Sequence, residues 1–258
     1  MNSRPINVAG LAVFAALLLL WELSSRSSPN LGAYLPPPSD ALRSLFRFAV
    51  ARELFSHLVD TLGRFLLGYV IAAALAVGLG IVLGYFRFAH SLCDVLIELL
   101  RPMPSVAIIP VAILLLGIGN TMMVAVTVYA CAWPILLNTI DGVRNIDRTL
   151  IDTGRTFGLG RWKILRTIAL PAAAPYVATG LRISLPIALI LVTTSEMVVG
   201  GSGLGYFILD QERSFRITEM YAGIVVVALL GYVLNRIFVA LEERMTVWHR
   251  GSTLRGRP

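Results

Sequence analysis

The chain has 258 residues, of which 57% are apolar and only 14% charged, and its mean hydropathy is +0.77. A soluble domain carries about 25% charged residues, so too little polar surface remains to cover a water-facing globule, and lipid must cover part of it. The net charge of +7 does not argue for nucleic acid, because the arginines stand between or beside long apolar runs, where the positive-inside rule expects them.

Cys93, Cys131, His57, His90 and His249 are scattered along the chain and form no disulfide framework, metal-ligand spacing or catalytic triad. At about 20 residues per membrane helix, the length accommodates about six spans. No internal repeat or low-complexity segment is visible, which points to one membrane domain over residues 1–258.

Residues 6–23 form the first apolar run, preceded by Arg4. A basic start and an apolar core also suit a secretory signal. The run is long for one, and Ser24-Ser25-Arg26 offers no small-x-small cleavage site, so an uncleaved span is the preferred reading. Residues 24–60 then emerge on the outer side. Pro36-Pro37-Pro38 stops any helix, and Ser39 or Asp40 is placed to cap the next. Residues 41–58 read as an amphipathic helix along the membrane surface, with Leu42, Leu45, Phe46 and Ala49 on one face. The second span covers residues 62–85. Its Gly80 and Gly84 form a small-xxx-small pair that permits close helix approach, although glycine is also simply common in membrane helices.

Residues 87–101 read as a polar connection. The third run, residues 103–118, is kinked or broken by Pro102, Pro104 and Pro110, and Gly117-Ile118-Gly119-Asn120 turns the chain. The fourth span covers residues 122–140 with Pro134 inside it, the fifth 176–199 and the sixth 221–241. The connection at 141–175 is the most basic, holding Arg144, Arg148, Arg155, Arg161, Lys163 and Arg166; the tail adds Arg244, Arg250, Arg255 and Arg257. Two spans separate these basic segments, so they share a side, and the positive-inside rule makes it the cytoplasm. Both termini then lie inside. Arg26, Arg43, Arg47 and Arg52 on the outer segment run against this pattern, but the two strongest signals agree.

The 141–175 connection has a pattern of its own. Residues 147–157 suit a helix, Gly158 and Gly160 break it, residues 161–168 suit another, and Leu170-Pro171 ends the unit. A sharp turn at Gly158 favours a backbone conformation open to glycine. Leu159 and Trp162 place apolar surface beside the break, and Arg161 adds a charge at its rim. Such a unit serves either as a docking surface for a cytoplasmic partner or as a basic helix pair resting on anionic headgroups.

Here the sequence resembles the permease subunits of bacterial ABC importers. Their cytoplasmic motif runs Glu-Ala-Ala, three residues, Gly, nine residues, Ile, one residue, Leu-Pro. In this chain Asp152-Thr153-Gly154, Arg155-Thr156-Phe157, Gly158, residues 159–167 and Ile168-Ala169-Leu170-Pro171 keep that spacing. The departure is confined to the first triplet, where Asp keeps the carboxylate and Gly in place of Ala costs a helix about 1 kcal/mol. Residues 35–42, Thr61-Leu62-Gly63-Arg64, Leu100-Arg101-Pro102-Met103-Pro104, Gly117-Ile118-Gly119 and Gly203-Leu204-Gly205-Tyr206 resemble, in order, segments of the nitrate, sulfonate, taurine and bicarbonate branch.

The resemblance implies an all-α membrane protein with the type I ABC importer permease fold, in the bacterial inner membrane. It implies a homodimer of permeases, an outer solute-binding protein, and two cytoplasmic ATPases docked on a segment that includes Asp152, Gly158, Leu159, Gly160, Arg161, Trp162, Leu170 and Pro171. The implied cargo is a small anion, with a thiamine-precursor pyrimidine or an aromatic acid as the alternative. A phosphate-cradling Walker loop ends in Gly-Lys-Ser or Gly-Lys-Thr, and the only lysine, Lys163, is followed by Ile164. The chain is therefore expected to be no ATPase and to bind no cofactor, with ATP and Mg acting through the partner.

Glu196 lies deep in the fifth run, where an acid is costly in lipid and faces a bundle interior or cavity. It is a candidate for the pathway or gate, or a structural partner for a neighbouring helix or arginine. Arg64, at the outer end of the second span, attracts an anion or anchors at the membrane surface. Arg182 reads as a snorkelling side chain, and residues 200–205 as a tight loop whose N–H groups suit an anion. A secondary carrier or channel would need coupling carboxylates or a filter within the spans, and Glu196 is the one acid deep in an apolar run.

Overall fold

The computed structural model describes residues 8–50 and 53–245. Arg4, Arg52, His249 and the tail arginines Arg250, Arg255 and Arg257 lie outside the described residues. All regular structure among the described residues is helical, as expected where lipid leaves backbone groups no partner but the helix itself.

Helix α1 (Val8–Ser27) is followed by α2 (Pro29–Tyr34) and α3 (Pro38–Val50). Ser25 donates to the Leu35 carbonyl at 2.6 Å, folding α2 back on α1. The start of α3 is capped by neither Ser39 nor Asp40. Glu22 of α1 reaches across, and its carboxylate accepts from the Ser39 N–H at 3.2 Å and the Ser39 hydroxyl at 2.8 Å. The buried face of α3 is Ala41 and Ser44, with Leu45 partly buried, whereas Leu42 and Phe46 point outward. Ala49 lies where side chains are not described.

The long helix α4 (Glu53–Tyr85) starts nine residues before the expected span and absorbs the end of the expected surface helix. It is followed by α5 (Arg87–Leu100), a 3-10 turn (Ser105–Ile108) and α6 (Ile109–Leu116). The expected polar connection is thus a helix, bent by 92° against the segment that follows. Pro102 and Pro104 stand in the break. Then come α7 (Asn120–Arg144), α8 (Arg148–Thr156) and α9 (Arg161–Ile164). A π-turn (Leu165–Ala169) joins α9 to α10 (Leu170–Val199), and α11 (Leu204–Arg213) and α12 (Ile217–Met245) complete the described chain. Among the described residues five helices are long and apolar enough to cross a membrane, six if the bent pair is one span.

The core lies between α4, α7 and α10, where Phe65, Ala72, Ala76, Cys131, Ile135, Ala188 and Val192 are fully buried or nearly so. Glycine sets the spacing. A Cβ on Gly80 would stand 2.6 Å from Thr139 Cβ, and one on Gly84 2.7 Å from Val143 Cβ, so the pair does mark a close approach. Gly68 meets Thr127 in the same way, and the ascending order of all three contacts makes α4 and α7 parallel. Helix α10 runs antiparallel to α7, because Gly142 packs on Tyr176 and Gly180 on Asn138.

Leu170-Pro171 does not end a unit. The backbone continues from α9 through the π-turn into α10, and the Leu170 N–H donates to the Leu165 carbonyl five residues back. A proline ring clashes with the carbonyl four residues before it. The wider π-turn, placed just ahead of Pro171, gives the helix the room to pass without breaking.

Candidate functional site

Two groups of residues stand at opposite ends of α4. At its start, Thr61 and Arg64 face the end of α10 and the glycine-rich loop leading into α11. Arg64 is not a surface anchor: its residue is 9% exposed. Its Nη1 donates to Glu196 Oε1 at 2.8 Å and to the Ser202 carbonyl at 2.9 Å, Nη2 to Ser202 Oγ at 2.6 Å, and Nε to Asn120 Oδ1 at 2.8 Å. Glu196 is fully buried. Thr61 Oγ1 donates to its carboxylate at 2.9 Å and accepts from the Leu204 N–H at 2.7 Å; the Gly205 N–H donates to Glu196 Oε2 at 3.0 Å. His57 Nδ1 accepts from the Gly203 N–H at 3.1 Å.

The glycine loop thus meets an anion, the chain's own Glu196. Its placement at the start of α11 satisfies free N–H groups and complements the helix dipole. Gly203 has φ +104°, and a Cβ there would collide with the Glu196 carboxylate. The cluster is charge-balanced, which takes Arg64 out of play as a free anion attractant. What it does physically is clasp α4, α7, α10 and α11 together at one end of the bundle. Sequence singled out Arg64, Glu196 and the glycine loop separately. Thr61, Asn120 and Ser202 went unnoticed as partners, since nothing local in the sequence pairs them.

At the other end of α4, the Tyr85 hydroxyl donates to the Arg161 carbonyl at 3.4 Å. Here Asp147 caps α8 by accepting from the Thr149 N–H at 2.9 Å, which holds its carboxyl below the usual carboxylate range. Asp152 is exposed and pairs with Arg155 at 3.2 Å. Gly154 is buried, and a Cβ there would come within 2.7 Å of Ile168; glycine in the motif's third place makes room for that side chain. Gly158 has φ +74° with open space around it, while Gly160, at φ −67°, starts α9 in ordinary geometry. Leu159 folds inward over Gly154. The side chains that project are Phe157 and Trp162, 81% and 76% exposed. Phe157 borders an open groove of 430 Å³ with Arg148, Thr149, Asp152, Thr153 and Thr156. Leu170 and Pro171 sit beyond the π-turn, on the span itself. Arg182 reaches Glu242 of α12 at 3.7 Å.

A family model described as "binding-protein-dependent transport system inner membrane component" matches residues 74–247. The chain belongs to this family. A Methanocaldococcus jannaschii protein described as an ABC transporter permease is 35% identical over 77% of this chain and 74% of its own length. A Brucella melitensis protein of the same description is 31% identical over 96% of this chain and 100% of its own. The taurine transport system permease of Escherichia coli is 28% identical over 96% and 91%. Permeases described for aliphatic sulfonates in Bacillus subtilis, nitrate in Synechocystis and bicarbonate in Synechococcus elongatus match at 26%, 28% and 29%.

Among solved structures, a chain of the inward-facing methionine ABC transporter matches with TM-score 0.66 at 20% identity, covering 77% of this chain and 98% of that one. A chain of a bacterial alginate importer matches with TM-score 0.64 at 14% identity, over 91% and 99%. The fold is that of the type I ABC importer permeases, and the protein is a multi-pass permease subunit.

Proposed function

We propose that this permease forms the membrane pathway for a small anion of the sulfonate, taurine, nitrate or bicarbonate class, handed over by a solute-binding protein. The observation that carries this reading is the set of relatives, matched over nine-tenths of this chain or more, whose stated cargoes are nitrate, bicarbonate, aliphatic sulfonates and the sulfonate-bearing zwitterion taurine, each with a small anionic group. Two copies pair to make one pathway. Two ATPases dock on the segment at 141–175, which acts as a coupling unit within a single membrane domain, and ATP and Mg bind in them. Support for the docking site comes from the left-handed turn at Gly158, which presents Phe157 and Trp162 to solvent.

The arginines of that segment put it in the cytoplasm, with both termini on the same side. The Arg64–Glu196 clasp then lies at the outer end, where it serves as part of the gate. Helix α4 connects the two ends in one continuous rod: the 21 residues from Arg64 to Tyr85 rise about 32 Å.

Deleting and restoring the gene while following uptake of labelled taurine, alkanesulfonate, nitrate and bicarbonate tests the cargo class. Uptake of one of them is expected to fall and recover; unchanged uptake of all four overturns it. A cysteine placed by Arg161→Cys is expected to resist an impermeant thiol reagent applied to intact cells, and rapid labelling would reverse the orientation.

A further inference from the structure

Helix α5 has three faces instead of two. Ala89, His90, Cys93, Ile97 and Leu100 are buried or partly buried against the bundle. Phe88, Leu92, Val95 and Leu99 form an apolar stripe, each between 64% and 78% exposed. Between these faces, at the same i, i+3, i+4 spacing, runs an exposed polar stripe of Arg87, Ser91, Asp94, Glu98 and Arg101. Asp94 is 53% exposed, with His90 3.7 Å away.

The depth of this helix is fixed at both ends. It starts two residues after Tyr85, and the contact of Gly84 with Val143 puts that point level with the last turn of α7. It ends at Leu100, whose carbonyl accepts from the Tyr129 hydroxyl at 3.2 Å. From Val143 back to Tyr129 is a climb of about 21 Å, and the 14 residues of α5 supply about 21 Å. Helix α5 therefore climbs beside α7 and does not lie flat at the membrane surface. Asp94 and Glu98 then stand level with the middle of α7, which at about 36 Å slightly exceeds the hydrocarbon thickness of about 30 Å.

Two exposed carboxylates at mid-membrane depth are not tolerated against lipid; such groups face a bundle interior or a water-filled cavity. The bundle interior is on the packed face, a different side of the helix. We infer that the Ser91–Asp94–Glu98 stripe of α5 is a wall of the aqueous pathway at mid-membrane, while the Phe88–Leu92–Val95–Leu99 stripe faces lipid. This rests on reading the chain as a pathway-forming permease, and it names pathway-lining residues apart from the Arg64–Glu196 clasp.

The test uses the assembled transporter in lipid vesicles, with Cys93→Ala and Cys131→Ala as background and single cysteines at 91, 94, 98, 88, 92 and 95. A small charged methanethiosulfonate is expected to modify Ser91→Cys, Asp94→Cys and Glu98→Cys at least 10-fold faster than Phe88→Cys, Leu92→Cys or Val95→Cys. Equal rates on the two stripes, or an unreactive polar stripe, overturn the inference. A fluorophore on Val95→Cys is expected to be quenched best by spin labels deep in the acyl chains. Best quenching by headgroup labels would lay α5 at the surface and overturn it equally. Labelling needs neither cargo nor ATP, so its failure leaves the permease reading standing. A wild-type protein that imports nothing would sink that reading whatever the labelling pattern.

Discussion

Arg64 and Glu196 are 132 residues apart in sequence and meet at 2.8 Å, the carboxylate fully buried and the guanidinium nearly so. Removing one partner of such a pair leaves an uncompensated buried charge and costs about 3–5 kcal/mol, whereas removing both costs much less. Glu196→Leu and Arg64→Met are each expected to lower the unfolding temperature in detergent sharply, and the double variant to recover a large part of the loss. Additive losses in this cycle would mean that the two side chains are not coupled. Glu196→Gln keeps the shape but leaves one acceptor oxygen where Arg64 Nη1 and the Gly205 N–H each use one, and is expected to impair uptake while the protein still assembles.

The glycine contacts between α4 and α7 make a graded prediction. Gly80→Val and Gly84→Leu place carbons where Thr139 and Val143 already stand, and overpacking of this kind costs about 1–3 kcal/mol or more. Gly78 lies on the same helix with nothing within 4 Å of a Cβ. Gly78→Ala is expected to leave thermal stability unchanged or slightly raised. Equal effects at the three positions would contradict the close approach.

At the proposed coupling segment, Phe157→Ala and Trp162→Ala are expected to weaken co-purification with the cognate ATPase about 10-fold each, a loss of about 1.4 kcal/mol that is ordinary for an exposed aromatic anchor. Membrane insertion should be untouched. Leu159→Asp acts differently, by loosening the turn over Gly154, and is expected to increase protease cleavage near Gly158 as well. Gly158→Val strains a left-handed backbone and is expected to uncouple hydrolysis from import. Wild-type ATPase binding in all four variants would leave this segment a membrane-surface element.

The cap of α8 titrates. Asp147 accepts from the Thr149 N–H, which favours its charged form and lowers its pKa below the value in the unfolded chain. With the folded value depressed, the cap contributes fully above the unfolded carboxylate value of about 4 and is lost as pH falls through the folded one. Hydrogen exchange at Thr149, corrected for its intrinsic pH dependence, is expected to lose protection across that range. Asp147→Asn, an equally good cap, is expected to remove the pH dependence while keeping the protection.

Apolar run length revealed most of the spans, because lipid demands about 20 apolar residues. The break at Gly158 was legible too, since glycine at a turn has a local cause. Helix α5 was hidden because Arg87, Asp94, Glu98 and Arg101 interrupt its apolar residues and so read as a connection; the i, i+3, i+4 order of these charges with Ser91 was the sign of a helix. The passage through Pro171 was read as a stop because a π-turn has no sequence signature of its own. The clasp was seen as separate parts, since the partners of Arg64 are set by how α4, α7 and α10 pack.

The glycine contacts also restrict how the bundle moves. Thr127, Thr139 and Val143 each follow their glycine partner, Gly68, Gly80 and Gly84, by the same number of residues. The two helices are therefore keyed like a rack with its teeth in fixed mesh, and sliding one along the other by even a turn would drive side chains into backbone. Piston motion of α4 against α7 is closed off. A push from an ATPase docked as proposed at the Tyr85 end would reach the Arg64 end only by tilting the pair as a single lever.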